Sequence, residues 1–323
     1  MNQVDWRPTA SLELLRQRAE ILGRIRDFFA ERDVLEVETP LLSHATVTDP
    51  HILSMTVPFK NLGTEKEEIC YLQTSPEYAM KRLLAAGSGS IFQITKAFRQ
   101  GEIGRLHNPE FSLLEWYHLG FDHHALMDEM DQLLHAVLQL SPAIRKSTAE
   151  VYQQYLGIDP HTATNQELKK CAEHYIDSMP DIPDDKNNWL DLLFSHCIEP
   201  HLVGDIPFFI YDFPVSQAAL AKIRPGDPPV ASRFEMYFKG VELANGFHEL
   251  QDPIEQHRRF DNDVTYRAKN TIPAVTLDER FLAALHYGLP DCAGVALGLD
   301  RLIMLALNCK KIENSMSFGF VSA

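Results

Sequence analysis

The clearest hydrophobic pattern at the start of the chain is a helical one. After Ser11, apolar side chains recur along one stripe to about Arg32, as in an amphipathic helix whose first N–H groups a serine hydroxyl can cap. The next segment, Val34–Thr39, alternates apolar and polar positions and ends at Pro40, which is typical of a short strand. The sequence therefore predicts a helix followed by a strand.

Two further alternating segments, Ile91–Phe98 and Phe111–Leu119, predict a pair of strands joined by a polar loop with arginines, glycines, a histidine and an asparagine. Because strand side chains alternate between faces, Phe111, Glu115 and Tyr117 are expected on one face. Arginine can hold a phosphate with two hydrogen bonds and a flat aromatic ring can accept a base, so this hairpin suits a nucleotide. A surface hairpin of solvated charges is the alternative that the residues leave open.

Near the end of the chain, a glycine-spaced strand leads into a helix. The segment Gly294–Leu299 precedes Asp300 and Arg301, and an apolar run follows to Leu307. Free N–H groups at the start of such a helix, together with an arginine, can hold a phosphate. The segment is not a P-loop, because no Gly-Lys-Ser/Thr follows, and alone it is a weak motif.

The remaining pattern predicts further elements of both kinds. Ser75-Pro76-Glu77 is a helix start, with a capping serine, a proline at the first position and an acid in the first turn. The charged segment from Asp252-Pro253 to Ala268 predicts a helix with a solvated face. Further strands are predicted at Ile69–Thr74, Phe208–Phe213 and Phe234–Ala244, the last as two strands joined near Lys239-Gly240. Further helices are predicted at Asp122–Leu140 and Leu277–Tyr287, and an irregular connection at Leu41–Lys66. An inserted helical region is predicted at about 141–229, with helices at Asn165–Ile176 and Asn188–Ile198.

Composition narrows the class of protein. The 323 residues can bury a sizeable core, and the formal net charge of −15 argues against a nucleic-acid backbone as the main partner while allowing a basic protein partner. The 5 cysteines are widely spaced, as expected of free thiols in a reducing compartment. The polar start of the chain, Met1–Ala10, has no leader pattern, and no apolar run reaches the ~18 residues of a membrane span. We therefore expect a cytoplasmic protein that does not enter a membrane.

Several acids recur in segments with binding chemistry. Glu77, Glu115, Glu242 and Glu249 lie in such segments, with Tyr117 and Asn245 among them. Buried carboxylates need cations, so a cleft lined by these acids suits a substrate with two ammonium groups, divalent metal ions, or both. A capping role for Glu77 is the simpler alternative. The histidines at 107, 118, 123 and 124 match no zinc spacing, and we expect non-metal roles for them.

These segments resemble the class II aminoacyl-tRNA synthetases, in their lysyl form. The hairpin sequence, Phe98-Arg99-Gln100-Gly101-Glu102 followed by Arg105-Leu106-His107-Asn108-Pro109-Glu110-Phe111, is similar to motif 2. The first helix and strand resemble motif 1, and the closing element resembles motif 3. Two positions depart from the pattern: Gly101 stands where the family has a glutamate that reads adenine, and Ala296 where it has a glycine.

The resemblance implies an α+β fold with a class II synthetase core, in which a mostly antiparallel sheet is flanked by helices. Because the first predicted helix begins close to the start of the chain, an anticodon-binding domain is not expected. Motif 1 implies a homodimer. The reaction implied is attack of a substrate carboxylate on the α-phosphorus of ATP, with Mg²⁺ bridging the phosphates.

The resemblance also assigns residues to roles. The substrate would be bound by Ser75, Pro76, Glu77, Glu115, Tyr117, Asn245 and Glu249. Of these, Glu115, Tyr117 and Glu249 would take the side-chain amine, and Glu77 would take the other amine. Arg99 and Arg301 would be catalytic, each neutralising a phosphate. ATP would further contact Gln100, Gly101, Glu102, Asn108, Phe111, Glu242, Leu243 and Gly298, and Mg²⁺ would lie on Glu235 and Glu242.

Within that family, the chain is most similar to the truncated bacterial paralogues of lysyl-tRNA synthetase that ligate lysine to elongation factor P. The resemblance implies (R)-β-lysine as the activated amino acid, elongation factor P as the acceptor and no tRNA. Two alternatives stay open: a minimal lysyl-tRNA synthetase-like enzyme acting on L-lysine, and a catalytically inactive regulatory relative, for which Gly101 is the best argument.

Overall fold

The computed structural model describes residues 6–60 and 62–323. Over that part of the chain the fold is of the α+β class, and most of its strand pairs are antiparallel, as predicted. Residues 1–5, half of the stretch expected to lack a leader pattern, lie outside the described part. The chain divides into two compact units; the first holds residues up to Leu119, Gln251–Asp291 and Ala296–Ala323, and the second holds Gly120–Leu250 and Cys292–Val295. The single domain with an insertion at about 141–229 stays a prediction.

The first unit contains the hairpin and the elements around it. Its helices are α1 (Leu12–Ala30), α2 (Glu77–Ala85), α7 (Pro253–Lys269), α8 (Glu279–Gly288) and α9 (Leu299–Ala306). Its strands are β1 (Leu35–Glu36), β2 (Leu42–Ser43), β3 (Thr56–Lys60), β4 (Glu67–Leu72), β5 (Ile91–Phe98) and β6 (Glu110–Leu119), together with the last residues of β12 (Cys292–Gly298).

The predicted hairpin forms with a regular register. Strands β5 and β6 pair antiparallel from Ile91 opposite Tyr117 to Phe98 opposite Glu110, and β1 adds to β5 in parallel. Helix α1 packs on this hairpin through Phe29, whose ring stacks on Phe92 at 4.4 Å between centroids. Ser11 caps α1 by accepting a hydrogen bond from the Leu14 N–H group, as predicted. This half of the unit therefore follows its hydrophobic pattern closely.

Three sequence expectations in the first unit are corrected. The segment Leu41–Lys66 is not merely irregular, because β2 and β3 pair with β4 in a three-stranded antiparallel sheet. Helix α2 begins at Glu77, so Pro76 precedes the helix instead of occupying its first turn. The charged helix α7 is not simply solvated, because Gln256, Phe260 and Arg267 on it are buried.

Buried Arg267 shows why the α7 expectation failed. Its guanidinium donates to the backbone oxygens of Asp49 and Pro273 at 2.8 and 2.9 Å, so its charge is satisfied away from water. Periodicity treats every arginine as solvent-facing and cannot anticipate such partners.

The second unit contains the remaining helices and strands. Its helices are α3 (His123–Leu138), α4 (Thr148–Leu156), α5 (Asn165–Tyr175) and α6 (Lys186–Leu193), followed by a π-helical turn at Phe194–Ile198. Its strands are β7 (Ile144–Ser147), β8 (Phe208–Pro214), β9 (Ile223–Arg224), β10 (Val230–Phe238) and β11 (Val241–His248). Strand β10 lies between β11 and β8, β7 adds to β8 in parallel, and β9 pairs with one end of β10.

The turn between β10 and β11 lies where the sequence predicted it. Phe238 pairs with Val241, and Lys239 and Gly240 between them both have positive φ, 51° and 70°. A two-residue turn with two left-handed residues suits the right-handed twist of the strands it joins. Helices α4 to α6 bury Val151, Leu168 and Leu193 in the core of this unit. The segment 141–229 is thus helical in large part but also supplies strands.

No helix in the described part of the chain is long and apolar enough to cross a membrane.

Gly246 in β11 is a position where packing forbids a side chain. An added Cβ would lie 2.4 Å from Cζ of Phe234 and 3.0 Å from Cβ of Val295. We expect Gly246→Ala to lower the free energy of unfolding by about 1–3 kcal/mol, measured by urea denaturation, because the core must shift to admit a methyl group. The control is Gly23→Ala in α1, which meets no atom within 4 Å and should stabilise by about 0.5–1 kcal/mol. Equal stability of the two variants would contradict this account.

Candidate functional site

An acidic pocket in the first unit is organised around Glu115. This side chain projects from β6 and is 1% exposed. The Ser75 hydroxyl donates to one of its carboxylate oxygens at 2.7 Å, and the Tyr117 hydroxyl donates to the other at 2.8 Å. The alternation of the strand therefore places Tyr117 beside Glu115 on one face, as predicted. Ser75, Glu115 and Tyr117 come together as one hydrogen-bonded group.

Glu77 lies beside this group but has a cation of its own. The Lys81 ammonium, one turn along α2, donates to Glu77 Oε1 at 2.7 Å, and the Lys81 side chain is 1% exposed. The Ser75 hydroxyl also accepts from the Glu77 N–H group at 3.1 Å, which links the start of α2 to Glu115. Sequence reasoning missed Lys81, although its position four residues after Glu77 on a predicted helix was a usable signal.

Burial makes Glu115 a weak acid. Loss of hydration, helped by the nearby charge of Glu77, raises the pKa of Glu115 from 4.5 to about 8, against the opposing effects of Ser75, Tyr117 and Lys81. Among the described residues, Glu115 has no cation within ion-pair distance. A buried carboxyl group with this pKa is protonated at neutral pH until a cation arrives. The pocket is therefore suited to an incoming ammonium group.

The loop of the β5–β6 hairpin presents Arg99. Its guanidinium lies over the Phe111 ring at 5.1 Å from the centroid, and one nitrogen is 3.6 Å from Glu102 Oε1. The Arg99 Nε atom is buried and donates to no protein acceptor among the described residues. Arg99, Glu102 and Phe111 thus lie together, with an arginine donor left over for an anion.

Gly101, the departure from the motif, has a conformational reason. Its φ is +84°, in the left-handed region, and an added Cβ would meet no atom within 4 Å. The conformation of the loop, and not lack of space, therefore favours glycine there. The neighbouring Gln100 N–H group donates to the Leu53 oxygen at 2.8 Å.

Asn108 is tied to the backbone on both sides of its amide. Its Nδ2 group donates to the Glu110 oxygen at 2.5 Å, and its Oδ1 atom accepts from the Phe320 N–H group at 3.0 Å. Asn108 is 8% exposed. In this structure it holds the loop and the C-terminal segment together, a role that the motif did not reveal.

Arg301 begins α9 and reaches the same loop. Its Nε group donates to the Leu106 oxygen at 3.3 Å, and an NH2 hydrogen is directed at His107 Nε2 at 2.8 Å. Burial, then the charge of Arg301, lowers the pKa of His107, so its ring is neutral and can accept that hydrogen. Gly298 lies immediately before α9. The structure thus places the second predicted catalytic arginine against the hairpin loop.

Asp300, which precedes Arg301, is a buried anchor that sequence reasoning missed. Its carboxylate is 1% exposed, accepts from the Ser112 N–H group at 2.6 Å and pairs with Arg18 of α1 at 2.6 Å. Helices α1 and α9 and strand β6 therefore meet at one carboxylate. The partners are far apart in sequence, so no local pattern could have indicated them.

In the second unit, a polar cluster on β10 and β11 contains two of the predicted residues. Arg233 donates to Glu235 Oε1 at 2.5 Å and to Asn245 Oδ1 at 3.1 Å. The Tyr237 hydroxyl donates to the other oxygen of Glu235 at 2.6 Å. Arg233 therefore connects Glu235 and Asn245, which are opposite each other in the strand register.

The two predicted metal ligands lie on the neighbouring strands β10 and β11. Glu242 is opposite Tyr237 in the register, and the charges of Glu235 and Glu242, after burial, raise the pKa of Tyr237. Glu235 and Glu242 thus both lie near one tyrosine. Each oxygen of Glu235 accepts one hydrogen bond and keeps a lone pair for a hard cation, which prefers oxygen ligands.

The other predicted residues of this unit are buried in or after β11. Glu249 is 1% exposed, and its backbone N–H group donates to the Cys292 oxygen at 3.0 Å. Leu243 is 2% exposed. A carboxyl group as buried as that of Glu249 is ionised only at a large cost unless a cation is near, which fits a group that binds an amine.

Comparison of the sequence with known proteins identifies the family of the chain. The model of the class II tRNA synthetases for aspartate, lysine and asparagine (D, K and N) matches residues 1–322. The chain belongs to this family. The resemblance inferred from the three motifs is confirmed, and so is the fold class that it implied.

Curated relatives of similar length narrow the comparison further. A protein of Vibrio cholerae serotype O1 named elongation factor P–(R)-β-lysine ligase is 53% identical over 324 residues, 100% of both chains. Proteins with the same name from Photobacterium profundum and Haemophilus influenzae are 50% and 49% identical, covering 97% and 98% of both chains. The similarity therefore extends over nearly the whole of each relative.

The pKa of Glu115 predicts a specific pH dependence of stability. Between about 4.5 and about 8 the folded chain holds a proton that the unfolded chain has released, so the Glu115 contribution to stability falls as pH rises through that window. We expect Glu115→Gln to gain stability relative to wild type across the window and to level off above it, measured by urea denaturation at several pH values. Glu110→Gln, on the exposed start of β6, is the control. A difference between Glu115→Gln and wild type that does not change with pH would contradict the assignment.

Proposed function

We propose that this protein activates (R)-β-lysine with ATP as an aminoacyl-adenylate and transfers it to a lysine ε-amino group of elongation factor P. The observation that carries the proposal is the buried Glu115, which accepts two hydroxyl hydrogen bonds and stands beside Glu77. This is a receptor for an ammonium group on the hairpin that carries Arg99. The shared name of relatives with about half of their residues identical supports the choice of substrate and acceptor.

Substrate binding would proceed through charge pairing. In the proposal, Glu115, Tyr117 and Glu249 receive the side-chain amine of the lysine. Ser75, Pro76 and Glu77 line the place of the other amine, and Asn245 completes the set. Arrival of the ammonium group would drive the proton from Glu115, because an opposite charge at close range favours the ionised carboxylate.

Positioning and charge neutralisation would carry the chemical step, since the proposal requires no protein nucleophile. Arg99 would pair with the α-phosphate while the substrate carboxylate attacks α-phosphorus and pyrophosphate leaves; Arg301 would pair with the γ-phosphate. Phe111 and the loop residues Gln100, Gly101, Glu102 and Asn108 would frame the nucleotide, with Leu243 and Gly298. Mg²⁺ held by Glu235 and Glu242 would offset charge on the phosphates.

Transfer would follow without tRNA. The ε-amino group of the acceptor lysine would attack the carbonyl carbon of the adenylate, forming an amide bond and releasing AMP. A net charge of −15 favours a basic protein surface over a nucleic-acid backbone as the acceptor. We further propose a homodimer formed through α1 and β1, the elements that resemble motif 1, and a cytoplasmic location.

Amino-acid-dependent ATP–pyrophosphate exchange tests the activity. We expect exchange with lysine isomers and none with L-aspartate, because the acids Glu77 and Glu115 suit a substrate with two amines. The name of the relatives leads us to expect faster exchange with (R)-β-lysine than with L-lysine. A gain in the mass of elongation factor P that requires both ATP and the amino acid tests the transfer step. Preference for L-lysine together with tRNA charging would support the minimal synthetase instead, and no exchange with any amino acid would support the inactive relative.

Arg99 allows a test of the phosphate role. We expect Arg99→Ala to slow pyrophosphate exchange by about 10²–10³-fold, because a positioned donor for the transition-state charge is lost. Thermal unfolding should change little, since the contacts that the guanidinium makes are a long ion pair with Glu102 and a weak contact with the Phe111 ring. The matched control is Arg258→Ala, on an exposed pair with Glu255. Exchange within about twofold of wild type for Arg99→Ala would refute the role.

A further inference from the structure

Three side chains of the second unit that have no role in the proposed reaction come together at the start of α3. His123 and His124 open helix α3, and Asp212 projects from β8. One ligand atom from each lies within 4.8 Å of the other two. The His123 Nε2 atom is 3.0 Å from Asp212 Oδ1, and the two imidazole rings are 4.1 Å apart between centroids. Two imidazoles and a carboxylate at this spacing are a set of metal ligands.

His123 contains a polar atom that the protein does not satisfy. The residue is 1% exposed, and its Nδ1 atom has no hydrogen-bond partner among the described residues. If Nε2–H donates to Asp212, the Nδ1 lone pair is left buried without a donor. The Asp212 carboxylate lies on the Nε2 side of the ring, so an ion bound beside Asp212 would take Nε2 in place of this hydrogen bond and leave Nδ1 to carry the ring proton.

Asp212 is held in an unusual backbone conformation. Its φ is +58°, in the left-handed region, although it lies within strand β8. Its backbone oxygen accepts from the Thr148 hydroxyl at 2.5 Å. A non-glycine residue inside a strand adopts this conformation only when its surroundings fix it, and such positions cluster at functional sites. The result is a carboxylate directed at the two histidines.

The donor atoms also indicate a class of ion. The imidazole–carboxylate donor set suits Zn²⁺ and related transition ions better than Mg²⁺.

We propose that His123, His124 and Asp212 form a binding site for one Zn²⁺-class divalent ion, separate from any Mg²⁺ that accompanies ATP. Arg224, whose NH2 group is 2.5 Å from Asp212 Oδ2, occupies the carboxylate in the metal-free state. Its side chain is 44% exposed and can swing into solvent when the ion binds. Three protein ligands leave a fourth tetrahedral position for water. The ion would fasten the start of α3 to β8.

The spacing of the histidines along the sequence does not indicate this arrangement. Adjacent histidines belong to no common zinc pattern, and the third ligand is 89 residues from His123 in sequence. Only the fold of the second unit brings β8 to the start of α3.

A zinc titration of the full chain tests the proposal. The protein is first stripped with EDTA and then held in excess Mg²⁺, and Zn²⁺ is added in competition with a chromophoric chelator. We expect one Zn²⁺ per chain, binding weakened about tenfold or more in His124→Ala, and binding tightened in Arg224→Gln because Asp212 loses its competitor. Zn²⁺ should raise the midpoint of thermal unfolding in wild type but not in His124→Ala.

Two controls keep the result interpretable. His257→Ala removes a half-exposed histidine on α7 that pairs with Asp261, and it should leave zinc binding unchanged. Co²⁺ in place of Zn²⁺ should give visible absorption without a thiolate charge-transfer band, because none of the proposed ligands is a cysteine. Failure to compete with the chelator, binding unchanged in folded His124→Ala, or a thiolate band would each overturn the proposal.

Discussion

The buried carboxylate of Asp300 is the constraint on which the architecture of the first unit depends. Asp300 receives the Ser112 N–H group of β6 and the guanidinium of Arg18 from α1, and Arg18 also donates to the Ser112 hydroxyl at 3.1 Å. Removing one partner of such a buried pair typically costs about 3–5 kcal/mol, since the remaining charge is stranded. The hairpin strand, the first helix and the last helix are thereby held in one arrangement. Because Arg301 follows Asp300 directly in α9, fixing Asp300 also fixes where the Arg301 side chain leaves the helix.

Two neighbouring acids of the first unit, partly buried Glu77 and fully buried Glu115, differ in their charge because their surroundings differ. Glu77 has a permanent partner in Lys81, so its charge is offset within the chain. Glu115, two hydroxyl hydrogen bonds notwithstanding, has a pKa raised to about 8 by burial. Glu77 is therefore ionised and already paired with Lys81, whereas Glu115 becomes ionised when a cation binds beside it. Such a pair can distinguish a doubly charged amine from a neutral side chain of similar size.

The hydrophobic pattern of the sequence predicted the strongly periodic helices and strands. It did not predict contacts between residues that are far apart in the chain. Helix α1, strand β5 and the β10–β11 turn needed only spacing and turn chemistry, and the motifs led correctly to the family. The strands within 41–66 were missed, because short, mostly exposed segments give little alternation. The buried charges of Asp300 and Arg267 were missed as well, since partners such as Ser112 and Thr48 lie 188 and 219 residues away from them. A hydropathy pattern places every charged side chain in solvent, so it cannot identify one that is buried against a partner distant in sequence.

The bond between Asn108 and the Phe320 N–H group has a consequence for the order in which the protein matures. The two residues are 212 positions apart, so a ribosome must add that many residues before the hairpin loop can acquire this support. During that interval the Asn108 amide keeps its bond to the Glu110 oxygen, two residues away, and its Oδ1 atom gains the Phe320 partner last.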